Sequence, residues 1–173
     1  AEQGHVSAQF DLGLMYSNGQ AVTQDYEEAA RWYLKAAEQG DANAQFNLAL
    51  SYENGEGVAQ DYEEAASWYR EAAEQGYASA QNNLANMYES GRGVNESFEE
   101  AVNWYGKAAE QGVAKSQFNL GAMWECGRGV AQDYRQAVKW YHKAAEQGHV
   151  SAQFDLGLMY ENGEGVDQDY EEA

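Results

Sequence analysis

The chain has 173 residues, a formal net charge of −19, no proline and a single cysteine. One cysteine excludes an internal disulfide and a cysteine-cluster metal site, and a hydrophobic fraction of 44% with 13% aromatic residues is too high for a disordered acidic segment. The negative charge disfavours binding to nucleic acids or anionic membranes, and no apolar run is long enough to predict a membrane-spanning helix.

A repeat of 36 residues organises the whole chain. The tetrapeptide Ala-Glu-Gln-Gly begins at residues 1, 37, 73, 109 and 145, with no insertion or deletion between the copies. We number positions 1 to 36 within each unit, which predicts a single solenoid array over 1–173 with repeats 5–40, 41–76, 77–112, 113–148 and a partial repeat 149–173. Residues 1–4 match the end of a unit, so we expect the chain to be a segment of a longer array.

Each repeat begins with a predicted helix over roughly positions 3 to 14. In the second repeat Ala44, Leu48, Ser51 and Tyr52 recur with helical spacing. A glycine at position 15 can adopt the left-handed conformation that ends a helix, and a second glycine at position 17 extends the turn. The first repeat has Ala21 at position 17, so we expect its turn to differ or to be strained.

A second helix is predicted to start just after position 21. Asp25 precedes Glu28 by three residues, which is the pattern of a capping box, and the acidic first turn suits the positive end of a helix. A Trp-Tyr pair followed by Ala-Ala supplies the apolar face. Because one such hairpin cannot bury that face alone, neighbouring repeats must stack. The sequence therefore predicts an all-α fold, a right-handed α-solenoid of helix-turn-helix repeats similar to a tetratricopeptide superhelix.

The unit resembles the Sel-one-like repeat (SLR), a relative of the tetratricopeptide repeat. The pattern A-Q-x-x-L-G-x-x-Y-x-x-G-x-G-V-x-x-D-Y-x-x-A-x-x-W-Y-x-x-A-A-x-x-G extends along the chain. In the second repeat it is carried by Ala44, Gln45, Leu48, Tyr52, Gly55, Gly57, Val58, Asp61, Tyr62, Ala65, Trp68, Tyr69, Ala72, Ala73 and Gly76. The resemblance implies a non-enzymatic adaptor that scaffolds protein complexes, common in bacteria and found in quality control of the endoplasmic reticulum. Some bacterial members carry a disulfide in every repeat and are linked to penicillin recognition, and this chain lacks those cysteines.

One face of the first helix is not explained by the predicted core. Its positions 3, 6, 7, 10, 13 and 14 are neighbours on a helix surface, and similarity to tetratricopeptide repeats implies that this face lines a concave groove. The candidate protein-binding residues are Phe46, Asn47, Leu50, Glu53, Asn82, Asn83, Asn86, Glu89, Phe118 and Asn119. Carboxamides offer a donor and an acceptor to a peptide backbone, and glutamates attract a basic ligand. We therefore predict a protein or peptide partner that is basic or neutral rather than acidic.

Two alternatives to this groove stay open. The Phe at position 6 can pack on the next repeat while the Asn at position 7 is merely solvated. In addition, residues 1–29 and 145–173 match at 25 of 29 positions, differing only at residues 17, 20, 21 and 23 and their counterparts. Such similar ends can stack head to tail into a self-associating structural array. Recent duplication or construction explains the same near-identity.

Charge is distributed unevenly among the repeats. The fourth repeat has five basic and three acidic residues, whereas every other unit is negative. Its basic residues are Lys115, Arg128, Arg135, Lys139 and Lys143, and it also contains Cys126. These basic side chains either form a local patch for an acidic partner or represent ordinary variation on a solvated surface. The thiol is either reactive or a spare surface group.

Motifs for catalysis and cofactor binding are absent from the sequence. There is no S-x-x-K, G-x-S-x-G, H-E-x-x-H, Walker A loop or complete G-x-G-x-x-G. His5 and His149 share repeat position 1 at opposite ends of the array, so the histidines do not predict a metal site. We therefore expect no enzyme activity, no catalytic residue, no metal and no cofactor. The lack of a signal-peptide pattern and of repeated cysteines slightly favours a cytoplasmic over a periplasmic or secreted location.

Overall fold

A computed structural model describes residues 5–167 of the chain. These residues form nine α-helices and no strand, which confirms the predicted all-α solenoid. The helices are α1 (Val6–Asn18), α2 (Tyr26–Ala37), α3 (Ala42–Asn54), α4 (Tyr62–Glu74), α5 (Ala78–Ser90), α6 (Phe98–Glu110), α7 (Ala114–Cys126), α8 (Tyr134–Glu146) and α9 (Val150–Asn162). The predicted end of a preceding unit, residues 1–4, lies outside the described residues, as do residues 168–173.

The core is built from small side chains around a row of buried tyrosines. Each helix packs against the next one along the chain, both within a repeat and between repeats. The tyrosines at position 29 of the first four repeats are buried, and the alanine pairs that follow them are largely buried as well. The burial of Leu48 and Leu84 by the preceding second helices extends the core across repeat boundaries. The apolar face that a single hairpin would leave exposed is thus covered by the neighbouring repeat.

The second helices are capped as predicted, but only in one direction. The side chains of Asp25, Asp61, Ser97 and Asp133 accept hydrogen bonds from backbone N–H groups of the first turn. The reciprocal bond of a capping box, in which Glu28 would accept from the N–H of Asp25, is replaced, because that N–H donates to the carbonyl of Tyr16 at 3.0 Å. The cap residue therefore ties the second helix to the first.

The glycines at position 17 allow adjacent repeats to approach closely. Gly57 has a φ of +74°, and a Cβ atom added to it would lie 1.9 Å from the carbonyl oxygen of Tyr26 in the preceding repeat. The turn of one repeat therefore rests on the first turn of the previous second helix. Ala21, which holds this position in the first repeat, has a φ of 61° and is the one non-glycine residue with positive φ in the described chain. The expected strain is therefore present at Ala21.

Glutamines at position 5 connect each hairpin to the one before it. The side chain of Gln45 donates to the carbonyl of Ala37 at 3.3 Å and accepts from Gln75 at 2.7 Å. Gln81 makes the equivalent bonds to Ala73 and Gln111. These amides are buried but satisfied, so they stabilise the stacking of repeats without a cost from unpaired polar groups.

Candidate protein-binding face

The ten predicted binding residues lie on three successive first helices. Those from Phe46 to Glu53 are on α3, those from Asn82 to Glu89 on α5, and Phe118 and Asn119 on α7. All but one of them are half-buried. The first-helix face is the surface formed by positions 3, 6, 7, 10, 13 and 14 of the first helices, on which these residues were predicted to lie.

Phenylalanines at position 6 pack between two repeats. The ring centroid of Phe46 is 5.8 Å from that of Tyr69 in its own repeat and 4.9 Å from that of Tyr77 in the next. Phe118 lies equivalently between Tyr141 and His149, and its centroid is 4.6 Å from the stacked imidazole. Packing on the next repeat, one of the two open interpretations, therefore does occur. Both rings nevertheless keep part of their surface accessible.

A hydrogen-bonded network of Glu, Tyr and Asn crosses the boundary between the second and third repeats. The hydroxyl of Tyr69 donates to Oε2 of Glu53 at 2.6 Å. The carboxamide of Asn83, on the following helix, donates to the same hydroxyl at 3.0 Å. Asn83, at position 7 of the third repeat, is therefore a structural contact between repeats and is not merely solvated.

The next boundary repeats this network with one additional member. The hydroxyl of Tyr105 lies 2.7 Å from Oε2 of Glu89 and 2.5 Å from Oδ1 of Asn86, and Asn119 also hydrogen-bonds to it. Burial and the neighbouring carboxylate raise the pKa of the Tyr105 hydroxyl, so the phenol stays protonated and remains a donor.

The fourth boundary has an aspartate where the others have asparagine. The hydroxyl of Tyr141 donates to Oε2 of Glu125 at 2.5 Å, and position 7 of the following repeat is Asp155. Burial raises the pKa of Asp155, the charge of Glu125 raises it further, and His149 partly offsets both effects. At this junction burial, Glu125 and the charge of Asp155 all raise the pKa of the Tyr141 hydroxyl.

Arginines in the turns of the third and fourth repeats reach back to two of the glutamates. A guanidinium nitrogen of Arg92 is 3.8 Å from Glu53, and one of Arg128 is 3.6 Å from Glu89. The fifth repeat has Glu164 at the equivalent position, and Glu125 has no such ion pair in the described part of the chain. The negative charge of the first-helix face is therefore least compensated at its C-terminal end.

Asn82 lies inside the structure rather than on the first-helix face. It is 6% exposed, and its Oδ1 accepts a 2.9 Å hydrogen bond from the hydroxyl of Ser116 in the next repeat. Ser116 stands where the other repeats have alanine, and Asn82 stands where they have phenylalanine. A buried polar pair thus replaces an aromatic contact at this junction, and Asn82 is not accessible to a ligand.

The tyrosines at position 29 are the site members that the sequence pattern alone did not identify. Their burial was expected from the Trp-Tyr pair, but their hydroxyls were not assigned partners. A buried tyrosine hydroxyl needs a hydrogen-bond partner, and the Glu at position 13 was the candidate in three of the four repeats in which this tyrosine is buried. The need of each buried tyrosine hydroxyl for a partner was therefore the feature of the sequence from which the network could have been predicted.

Other kinds of site lack support in the described residues. No group of three or more His, Cys, Asp or Glu side chains between residues 5 and 167 is arranged to hold a metal ion. None of the helices described there is a candidate for crossing a membrane. Cys126 is an exposed free thiol at the end of α7.

Comparison with known proteins places the chain among repeat proteins. The Sel1 repeat profile matches residues 6–41, 42–77, 78–113, 114–149 and 150–173. No curated protein sequence gives a match. The structure resembles a protective antigen of uropathogenic Escherichia coli with an SLR fold, with a TM-score of 0.97 and 44% identity, and the match covers 99% of this chain and 37% of that protein.

Two further solved structures are similar. A Sel1 repeat protein from Oxalobacter formigenes superposes with a TM-score of 0.93 at 41% identity, covering 96% of this chain and 69% of that one. The cysteine-rich protein B of Helicobacter pylori gives a TM-score of 0.59 at 26% identity, covering 78% of this chain and 96% of that one. Since its match to the E. coli antigen covers 37% of that protein, the chain spans little more than a third of the antigen's length.

Proposed function

The chain belongs to the Sel1 repeat family, and on this premise we propose that it is a protein-interaction scaffold that holds an extended protein segment along a concave first-helix face. Sel1 repeat proteins are generally non-enzymatic scaffolds whose repeats mediate protein–protein interaction. The proposal for this chain adds the surface, the chemistry of the partner and the residues that contact it.

The observation that carries the proposal is that a polar network of Glu, Tyr and Asn recurs at two successive junctions between repeats. Glu53, Tyr69 and Asn83 are joined by hydrogen bonds at one junction, and Glu89, Tyr105 and Asn119 at the next. Because these side chains are already fixed by each other, little rotamer entropy is lost when a ligand binds to them. An Asn carboxamide that donates one hydrogen to a tyrosine keeps a second N–H for a ligand.

The chemistry of the face favours a segment with mixed apolar and basic side chains. Phe46, Leu50 and Phe118 are half-buried and present partial apolar surface. Glu53 and Glu89 carry negative charge beside them, each shared with an arginine. A lysine or arginine of the partner would be attracted most strongly near Glu125, where no ion pair forms within the described residues.

A peptide selection followed by a matched pair of variants tests this function. Peptides are selected from a random displayed library on the wild-type chain, and their affinities are measured for two double variants. Asn47→Ala with Leu50→Ala removes one polar and one apolar side chain of the groove, and the carboxamide of Asn47 donates within α3 to the carbonyl of Asn43. Ser67→Ala with Asn103→Ala alters two exposed residues of the second helices.

Among the selected peptides, we expect those that bind the first-helix face to be poor in Asp and Glu. We also expect the Asn47/Leu50 variant to bind at least about tenfold more weakly, the scale of losing a central contact, while the Ser67/Asn103 variant binds normally. Thermal unfolding confirms that both variants are folded. Equal affinity of both variants for the selected peptides would overturn the assignment of this face.

A further inference from the structure

The outer surface of α8 differs from the equivalent surfaces of the other second helices. Positions 23, 27 and 31 follow each other at four-residue spacing and form one stripe along a helix. In α8 this stripe consists of Arg135, Lys139 and Lys143, all exposed, and we call it the α8 basic stripe. The corresponding residues are Glu27, Arg31 and Lys35 in α2, Glu63, Ser67 and Glu71 in α4, and Glu99, Asn103 and Lys107 in α6. Each of those stripes is interrupted by a carboxylate or a neutral side chain.

The carboxylates of residues 5–167 do not neutralise the α8 basic stripe. Arginines elsewhere form ion pairs with Glu28, Glu53 and Glu89. Within residues 5–167, no carboxylate forms an ion pair with any of the three stripe residues. The nearby Glu146 instead contacts His142, with 3.4 Å between its Oε1 and the imidazole Nδ1. The stripe therefore presents three cations to solvent on an otherwise acidic protein.

Trp140 holds two of these cations in place. The Nζ atom of Lys143 lies 4.4 Å from the centroid of the Trp140 ring, and that of Lys139 lies 5.6 Å from it. An ammonium group that rests on an aromatic ring still has N–H groups for a carboxylate. Because the ring contact restricts these long side chains, less entropy is lost when a carboxylate binds to them.

We propose that the α8 basic stripe binds a short acidic segment of a partner protein. At a helical rise of about 1.5 Å per residue, the stripe from Arg135 to Lys143 is about 12 Å long, which matches about four residues of an extended chain. A segment of this length stays close to the stripe, whereas an extended polyanion is repelled by the acidic repeats around it. The scaffold would then have two binding surfaces, the first-helix face for basic or neutral segments and the α8 basic stripe for acidic segments.

Fluorescence polarisation with a short labelled peptide of alternating Asp and Glu tests the inference, with a Gly-Ser peptide of equal length as the control ligand. Lys139→Glu with Lys143→Glu should weaken binding of the acidic peptide at least about tenfold. Lys35→Glu with Lys107→Glu is the matched control. It changes the net charge equally, and these lysines also lie over tryptophans, at 4.0 Å from Trp32 and 3.7 Å from Trp104.

The control double variant should keep its affinity within about twofold. No binding of the acidic peptide by the wild-type chain, or equal losses in the two double variants, would overturn the proposal. Tighter binding of a DNA duplex or of phosphatidylserine vesicles than of the peptide would also overturn it. If the glutamate variants fail to fold by circular dichroism, the same comparison is made with Lys→Gln at the same four positions, and the same outcomes decide.

Discussion

The hydroxyl of Tyr69 donates a 2.6 Å hydrogen bond to the carboxylate of Glu53, and this pair joins the core of one repeat to the surface proposed to bind a partner. The tyrosine side chain is fully buried, whereas the carboxylate is half-buried. The same relationship recurs between Tyr105 and Glu89 and between Tyr141 and Glu125.

Removing one hydroxyl should weaken the array measurably. Tyr69→Phe deletes the donor to Glu53 and the acceptor of Asn83, and a hydrogen bond to a charged group is worth about 1.5–3 kcal/mol. We expect the free energy of unfolding to fall by about 1–3 kcal/mol in urea denaturation. Tyr26→Phe is the control, because Tyr26 is exposed and its hydroxyl accepts a hydrogen bond from the exposed side chain of Gln24. A loss equal to that of the control would show that the buried bond does not stabilise the junction.

The three networked tyrosines should make the protein sensitive to alkali. Burial and the adjacent glutamates raise the pKa values of Tyr69, Tyr105 and Tyr141 in the folded state. Their stabilising contribution is therefore complete below pH about 10, the pKa of an unfolded tyrosine, and is lost as the pH rises above it. The free energy of unfolding should decrease by up to about 1.4 kcal/mol per pH unit for each of them.

Tyr105→Phe should make this alkaline slope shallower than that of the wild-type chain by about one proton. Chemical denaturation at a series of pH values above 9 measures both slopes. A Tyr105→Phe variant with the wild-type slope would contradict the raised pKa of that hydroxyl.

Asp155→Asn should stabilise the last junction at neutral pH. The pKa of Asp155 is raised by burial and by Glu125, so its contribution to stability is present at low pH and is lost as the pH rises through the folded-state pKa. Asparagine occupies the same position in the second to fourth repeats. We expect a gain of about 0.2–0.5 kcal/mol at pH 7, the scale of one like-charge contact, which shrinks towards pH 4. Thermal unfolding at both pH values checks this, and a gain that grows on acidification would refute it.

The close approach at position 17 predicts a large difference between two glycines of similar backbone conformation. At Gly57 an added Cβ would lie 1.9 Å from the carbonyl oxygen of Tyr26, whereas at Gly76, with a φ of +89°, it would meet nothing within 4 Å. Gly76→Ala should lower the free energy of unfolding by about 1–2 kcal/mol, because alanine is strained in the left-handed conformation. Gly57→Ala should cost about 1–3 kcal/mol more, because the backbone of the preceding repeat must move. Equal losses in urea denaturation would mean that the junction adapts freely.

Most of the fold follows from the sequence because its signals are local and repeated. Glycine at position 15, the cap at position 21 and the alanine pairs each act within one hairpin, and a fixed period carries them along the chain. The expected reciprocal bond of the capping box, from the N–H of Asp25 to Glu28, was wrong, because that N–H donates to the carbonyl of Tyr16, nine residues earlier. That bond depends on how the two helices of a hairpin meet.

The candidate face was predictable only in outline, because its details depend on contacts between repeats. Helical periodicity placed Asn82 and Asn83 on one surface, but Asn82 turns inward to Ser116 while Asn83 bonds to Tyr69. A single residue type thus takes two roles according to its partner in the adjacent repeat. The sequence shows that Ser116 replaces the alanine of the other repeats, but its partner, Asn82, could be identified only from the way in which the two repeats stack.

The most direct test of the scaffold function is an NMR titration that follows the side-chain carboxamides of asparagine. A peptide selected on the wild-type chain is added to ¹⁵N-labelled protein. If the segment lies along the first-helix face, the cross-peaks of Asn47, Asn83 and Asn119 should shift together, while that of the exposed Asn103 on α6 stays in place. Shifts confined to Asn103 and other residues of the second helices, with the three first-helix carboxamides unchanged, would contradict the proposed binding face.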